Sequence, residues 1–406
     1  MPACHVCRRP AACRALHVGA VPAGEPLELV AGVYAQHYRQ HAYRAVLNNL
    51  NPAVSNYVTF DQKDEAISAF AELQWNISPQ FRVRGGGRYT YEKKTADYSI
   101  LLGPQAFNRI GAAGPGTPFS DRISEGLFDP SIVVQWEPSS SAMLFGSFSR
   151  GSKGGAFQGD VSGATLATYS VRPERASSFE GGAKLRFAGN RGRLGITLFR
   201  TRYSALQLSE IDPNAVNTII FRVRNAGKAL TKGVEVEGAF KANDWLTMNL
   251  SAAYLDAKYT DYTAGDCAPG QVANGSVAGS CSYNGVSLPQ APKWNGNVGT
   301  NIEYPIAGDW RLIGNANLQF TSRHRTNTSN DPRSIQHGYA KVDLTLGVAN
   351  DNWRLALLVR NLTDKLTKSW TTLSPVAATA GGLGPDVRLY KVDQPRTFAL
   401  QASYKF

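Results

Sequence analysis

The last eleven residues, RTFALQASYKF (396–406), decide the fold. Phe398, Leu400, Ala402, Tyr404 and Phe406 share one parity, while Thr397, Ala399, Gln401, Ser403 and Lys405 share the other. A period of two marks a strand with one apolar face. Chain termini are usually polar and frayed. A phenylalanine beside a terminal carboxylate therefore needs apolar surroundings that reach to the edge of the fold.

The same alternation recurs along the chain. It is clear in FRVRGGGRYTYEKK from Phe81, KGVEVEGAF from Lys232, LTMNLSAAYLDAKYTDY from Leu246, WRLIGNANLQF from Trp310 and AKVDLTLGVAN from Ala340. With weaker stretches such as LELVAGVYAQHY, EAISAFAELQW and PSIVVQW, it predicts about fourteen strands of the length a tilted membrane strand needs. No segment has the period of a helix that could compete.

The connections alternate as well. NISPQ (76–80), EPSS (137–140), AGNRG (188–192), KAND (241–244), PIAGD (305–309) and NDN (350–352) are tight turns rich in Gly, Pro, Asn and Asp. Long loops, such as 95–129, 151–176, 260–293 and 365–395, separate them. A soluble sandwich also alternates, but it has no reason to collect short turns at one end and long loops at the other. An outer-membrane barrel does this, with short periplasmic turns and long outer loops. The predicted fold is therefore all-β, an antiparallel transmembrane β-barrel in the outer membrane.

The faces agree. Val342, Leu344, Leu346 and Val348 oppose Lys341, Asp343 and Thr345, as a lipid row opposes a wet lumen. Trp75, Trp136, Trp310 and Trp353 stand beside short turns on the apolar parity, and Trp294 stands at a strand entry on the loop side. With Tyr404 and Phe406 they are expected to anchor the strands at the membrane interfaces. Trp245 adjoins a turn but falls on the polar parity.

Composition narrows the function. The net charge is +12, but the basic residues are spread through alternating segments rather than gathered on one element, so no nucleic-acid partner is expected. The six histidines, at 5, 17, 37, 41, 324 and 337, show no catalytic spacing, so no enzyme is expected. Cys4, His5, Cys7, Cys13 and His17 lack zinc-finger spacing, and neither metal site nor cofactor is expected. Cys267 and Cys281 flank a Gly/Ser/Asn-rich loop, which a disulfide would close in an oxidising compartment. Residues 1–26 lack the continuous apolar core of a signal peptide, which makes export of the chain doubtful; they are expected to be a non-native or unstructured segment before a barrel spanning 27–406.

RYTYEKK (88–94), RPERASSFEGGAKLRF (172–187), NAGKALTKGVEVEG (225–238), LPQAPKWNGNVG (288–299), NLTDK (361–365) and the terminal aromatic together resemble the C-terminal barrel of TonB-dependent outer-membrane receptors. The resemblance implies a barrel of about 22 strands around an N-terminal plug. It also implies import of ferric siderophores, haem, cobalamin or sugars with energy delivered by TonB, and a terminal strand read by the barrel-assembly machinery. Only the barrel part is recognisable, so TonB is expected to act only on a full-length form with its plug. The final strand then has LELVAGVYAQHY for a closing neighbour, and the chain alone is expected to misassemble. The competing reading is a self-contained passive channel of about fourteen strands, like the fatty-acid transporters. Within LPQAPKW, Pro289 and Pro292 are expected to guide the chain into a strand. For a small ligand such as an anionic metal chelate, the candidate loop residues are Arg323, His324, Arg325, Trp370, Arg388 and Tyr390.

Overall fold

A computed structural model describes residues 13–20, 26–46, 56–102, 119–158, 169–211, 221–268, 271–328, 330–373 and 388–406. Fifteen strands follow one another in a single antiparallel ladder, each paired with its sequence neighbours. They are β1 (Cys13–Ala20), β2 (Leu27–Val46), β3 (Asn56–Ser78), β4 (Phe81–Leu102), β5 (Phe119–Ser139), β6 (Ala142–Lys153), β7 (Glu174–Phe187), β8 (Gly192–Ser204), β9 (Lys228–Lys241), β10 (Leu246–Asp261), β11 (Trp294–Ala307), β12 (Trp310–Thr321), β13 (Tyr339–Ala349), β14 (Trp353–Arg360) and β15 (Thr397–Tyr404). Among the described residues there is no α-helix, only a 3-10 turn at Pro332–Ser334.

Fourteen of these strands lie from Leu27 onward, as the alternation predicts. The fifteenth, β1, precedes them. β1 pairs with β2 from Cys13↔Gln36 to Ala20↔Val30, so backbone within residues 1–26 is ordered in the ladder. The edge strands of the ladder are β1 and β15, and no pairing joins them among the described residues. Cys4, His5 and Cys7 lie outside the described residues.

All six tight turns fall between strands as expected. The β7–β8 turn runs through Ala188, Gly189 and Asn190, with φ of 52°, 64° and 67°, and Gly308 takes φ 60° between β11 and β12. Left-handed residues in two-residue turns match the twist of the strands they join. The long loops are shorter than predicted on one side of the chain. β4 continues to Leu102 and β5 begins at Phe119, so much of 95–129 is strand. The strands β2 to β5 have 20 to 23 residues, about twice what the bilayer requires. Their outer halves carry charges on both parities: His41 meets Asp61 at 2.8 Å and Lys93 meets Glu65 at 3.8 Å on one, and Lys94 meets Glu92 at 3.1 Å on the other. A sheet with water on both faces loses its apolar row, which is why the alternation faded there.

Nearer the tight turns the two faces differ as expected. Leu73, Trp75 and Ile77 of β3 are exposed on the lipid parity. On the other parity Arg84 donates to Gln74 at 2.8 Å, and Gln74 and Asn76 donate to Glu28 at 3.3 and 3.0 Å. Farther along, Asn297 donates to Asn317 at 2.5 Å and Asn315 to Asn301 at 2.8 Å. Trp136, Trp294, Trp353, Tyr404 and Phe406 are exposed and Trp310 half-buried. Trp245 lies in the turn before β10 rather than on a strand, so parity does not constrain it; its ring packs edge-on to Tyr304 at 5.7 Å.

Candidate ligand-binding loops

The connections from β10 to β11, β12 to β13 and β14 to β15 carry the candidate residues. After Thr321 the chain doubles back as His324–Arg325 paired with Ile335–Gln336. The sequence Asp331–Pro332 sets the bend between them. The Asp331 carboxylate caps the 3-10 turn by accepting from the Arg333 N–H at 2.9 Å, and Pro332 has no N–H to leave unsatisfied. After Arg360, Asn361 turns the chain with φ 51°, donates its side-chain amide to the Lys365 and Gln394 carbonyls, and donates its backbone N–H to Asp343 at 2.7 Å. This is the structural work of NLTDK. Beyond it, Lys368–Leu373 pairs with Arg388–Val392.

The two loop hairpins are interlocked. Thr326 and Thr371 hydroxyls meet at 2.6 Å, Asn327 donates to the Thr371 carbonyl at 2.9 Å, and the Lys368 N–H donates to Gln336 at 2.7 Å. The six candidate residues thus sit in one pair of joined loops: Arg323, His324 and Arg325 with the first, Trp370, Arg388 and Tyr390 on the second. Their states differ. Arg388 is buried and bound to Asp331, with its Nε donating at 3.1 Å, so it holds the loops together. His324 is half-buried with Nδ1 3.1 Å from the Ser322 carbonyl. Trp370 is half-buried; Tyr390 is exposed beneath the Lys368 ammonium, 4.8 Å from the ring centre. Arg323 is exposed.

At Arg388 a buried Nη1 has no hydrogen-bond partner among the described residues, although Nε and Nη2 bind Asp331. Arg325 likewise has a buried Nη1 with no hydrogen-bond partner among them. Burial presses its pKa downward, Tyr283 and Tyr259 oppose that, and Arg323 adds to it. A guanidinium still holds its charge under such pressure. Asp331 shows the reverse balance. Burial alone would raise its pKa, but hydrogen bonds from Arg333, side chain and backbone, and from Arg388 hold it below the usual carboxylate range.

Cys267 and Cys281 are disulfide-bonded, with Cα atoms 5.0 Å apart, in the β10–β11 loop. Near them Tyr259, Tyr262 and Tyr283 form a buried cluster with ring centres 5.2 to 5.9 Å apart. In LPQAPKW the working residue is Gln290, between the two prolines. Its backbone N–H donates to the Arg325 carbonyl at 2.9 Å, and its side-chain amide to the carbonyls of Thr326 at 3.1 Å and Ser369 at 2.8 Å. Sequence reasoning missed Gln290, Tyr283 and Asp331. Only Asp331 left a signal, the Asp–Pro pair that starts a turn.

Among the described residues no group of three or more His, Cys, Asp and Glu is placed to hold a metal ion. The described helical content includes nothing long and apolar enough to cross a membrane, which leaves crossing to the strands.

The TonB-dependent receptor-like β-barrel family matches residues 18–362. The chain belongs to that family. It is thus an outer-membrane strand ladder of the Gram-negative type, in a family of receptors and transporters rather than enzymes. The pesticin receptor of Yersinia pestis is 22% identical over 358 residues, 87% of this chain and 47% of that protein. The ferric yersiniabactin uptake receptor of Yersinia pestis superposes with a TM-score of 0.73 at 17% identity, over 95% of this chain and 52% of that one. The siderophore receptor PiuA of Acinetobacter baumannii gives 0.66 at 18%, over 97% and 55%. At these identities the structural likenesses establish the barrel fold. The chain spans about half the length of these relatives. The passive fourteen-strand channel is not favoured, because the matching family is that of the receptors.

Proposed function

We propose that this chain is the barrel and outer-loop part of a TonB-dependent receptor that captures a small anionic metal chelate, a ferric siderophore or a compound like it, for import. The observation that carries this reading is Arg325, a half-buried cation whose Nη1 has no hydrogen-bond partner among the described residues, within electrostatic reach of Tyr283, Arg323 and Tyr259. Guanidinium and aromatic groups together suit a carboxylate, catecholate or hydroxamate shell around a metal. His324 and, on the adjoining loop, Trp370 and Tyr390 would line the same region, while Arg388 would hold it in place. The names of two relatives, one taking up ferric yersiniabactin and one a siderophore receptor, support the ligand class. In this reading lipid covers the exposed apolar rows, the barrel-assembly machinery reads the strand ending in Phe406, and TonB acts through a plug.

The test is uptake of radiolabelled iron by iron-starved cells with and without the intact gene. Anionic, neutral and cationic ferric chelates are offered in turn. Gene-dependent uptake of an anionic chelate that fails without TonB is the expected result. Uptake independent of TonB, or confined to cationic chelates, contradicts the reading.

A further inference from the structure

Two residues after Cys281, Tyr283 is 1% exposed. Its ring lies over Gly265, where a Cβ would come within 2.6 Å of it, so the close approach depends on glycine at that position. Its hydroxyl donates to the Asp266 carbonyl at 2.6 Å and accepts from the Asn330 N–H at 3.0 Å. Asp266 adjoins Cys267, and Asn330 adjoins Asp331. One hydroxyl therefore connects the disulfide to the peptide that carries the Arg388 partner.

We infer that Tyr283 is a positioning residue, and that the Cys267–Cys281 loop is a brace that fixes the arginine-bearing loops rather than a surface that meets ligand. The path runs from the disulfide through Asp266 and the Tyr283 hydroxyl to Asn330, Asp331 and Arg388, with every bond between described residues. Gln290 is a second, parallel fastening between the same loops. A half-buried guanidinium meets ligand in one geometry only if its loop is held before binding, because ordering it afterwards would cost affinity. The functional meaning rests on the receptor reading above, but the device is tested without ligand.

The experiment is hydrogen exchange on the purified full-length product of the intact gene, folded in detergent, comparing wild type with Tyr283→Phe, Tyr283→Leu, Gln290→Ala and the double variant Cys267→Ser/Cys281→Ser. Phenylalanine keeps the ring and removes only the hydroxyl. Exchange across 326–336 and 388–392 should rise about tenfold, the effect of one or two buried hydrogen bonds. Strands β10 and β11 should be unchanged, the cysteine variant should loosen the same segments, and Gln290→Ala should add to either. If the ring alone matters, phenylalanine will behave as wild type and leucine will not, which overturns the inference. Protection at 326–336 that survives loss of the disulfide, or exchange that rises uniformly along the strands, overturns it too.

Discussion

Asp331 and Arg388 are 57 positions apart and form an ion pair in which their side chains are 4% and 6% exposed. The pair joins the β12–β13 loop to the β14–β15 loop and is supported on its other side by Arg333 at 3.0 Å. Ion pairs this well buried contribute little over an apolar substitute, yet breaking one leaves a charge stranded.

Removing one partner should therefore be worse than removing both. Asp331→Ala should cost about 3–5 kcal/mol of loop order, and Asp331→Ala/Arg388→Ala distinctly less. Limited proteolysis within 322–338 reads the difference, and equal damage from single and double variants would sink the prediction.

The same carboxylate predicts a pH response. Its folded pKa lies below the unfolded value of about 3.9, so its contribution is fully present above that value and is lost as pH falls through the folded pKa. Protection in 326–336, taken relative to the intrinsic exchange rate at each pH, should hold at pH 5 and fall below about pH 4. Asp331→Asn should abolish that acid step. A transition centred near pH 6.5 would contradict the prediction.

Reduction of Cys267–Cys281 should loosen its loop by about 3 kcal/mol, the chain-entropy value for a closed loop of about 15 residues. Protease nicking between Pro269 and Ser280 should then appear only after reduction. Nicking at the same rate before reduction would contradict it.

At the other end of these strands, Trp353 and Tyr404 are register partners on β14 and β15 with ring centres 4.7 Å apart, and Phe406 lies edge-on to Tyr404 at 5.1 Å. We propose these rings as interfacial anchors. Brominated lipid should quench Trp353 strongly, and Trp353→Ala should lower the temperature at which the folded band converts to the unfolded one on a gel. Fluorescence indifferent to brominated lipid would remove Trp353 from the interface.

What could be read from sequence and what could not divide on physical lines. Period two survives wherever one face meets lipid and the other water, so RTFALQASYKF, AKVDLTLGVAN and the six turns were legible. It fails where both faces are wet, as around Asp61 and Glu65, and there strand was taken for loop. The loop residues chosen from sequence were picked for charge and aromaticity, which indicates what a side chain can bind but not what it already binds. Arg388 was picked on that basis and is committed to Asp331 through Nε and Nη2; its Nη1, like that of Arg325, has no hydrogen-bond partner among the described residues. Gln290 left no trace in the pattern, because its role depends on carbonyls of residues 36 and 79 positions away.

The most direct measurement is a binding titration of the purified protein with the ferric chelate that the uptake screen selects. The wild type is compared with Arg325→Ala and Arg311→Ala, the latter a cation beside the NDN turn. The account predicts that Arg325→Ala weakens binding at least about tenfold, the loss of a charge-assisted contact, while Arg311→Ala binds as wild type. Equal affinities for the wild type and Arg325→Ala would contradict it.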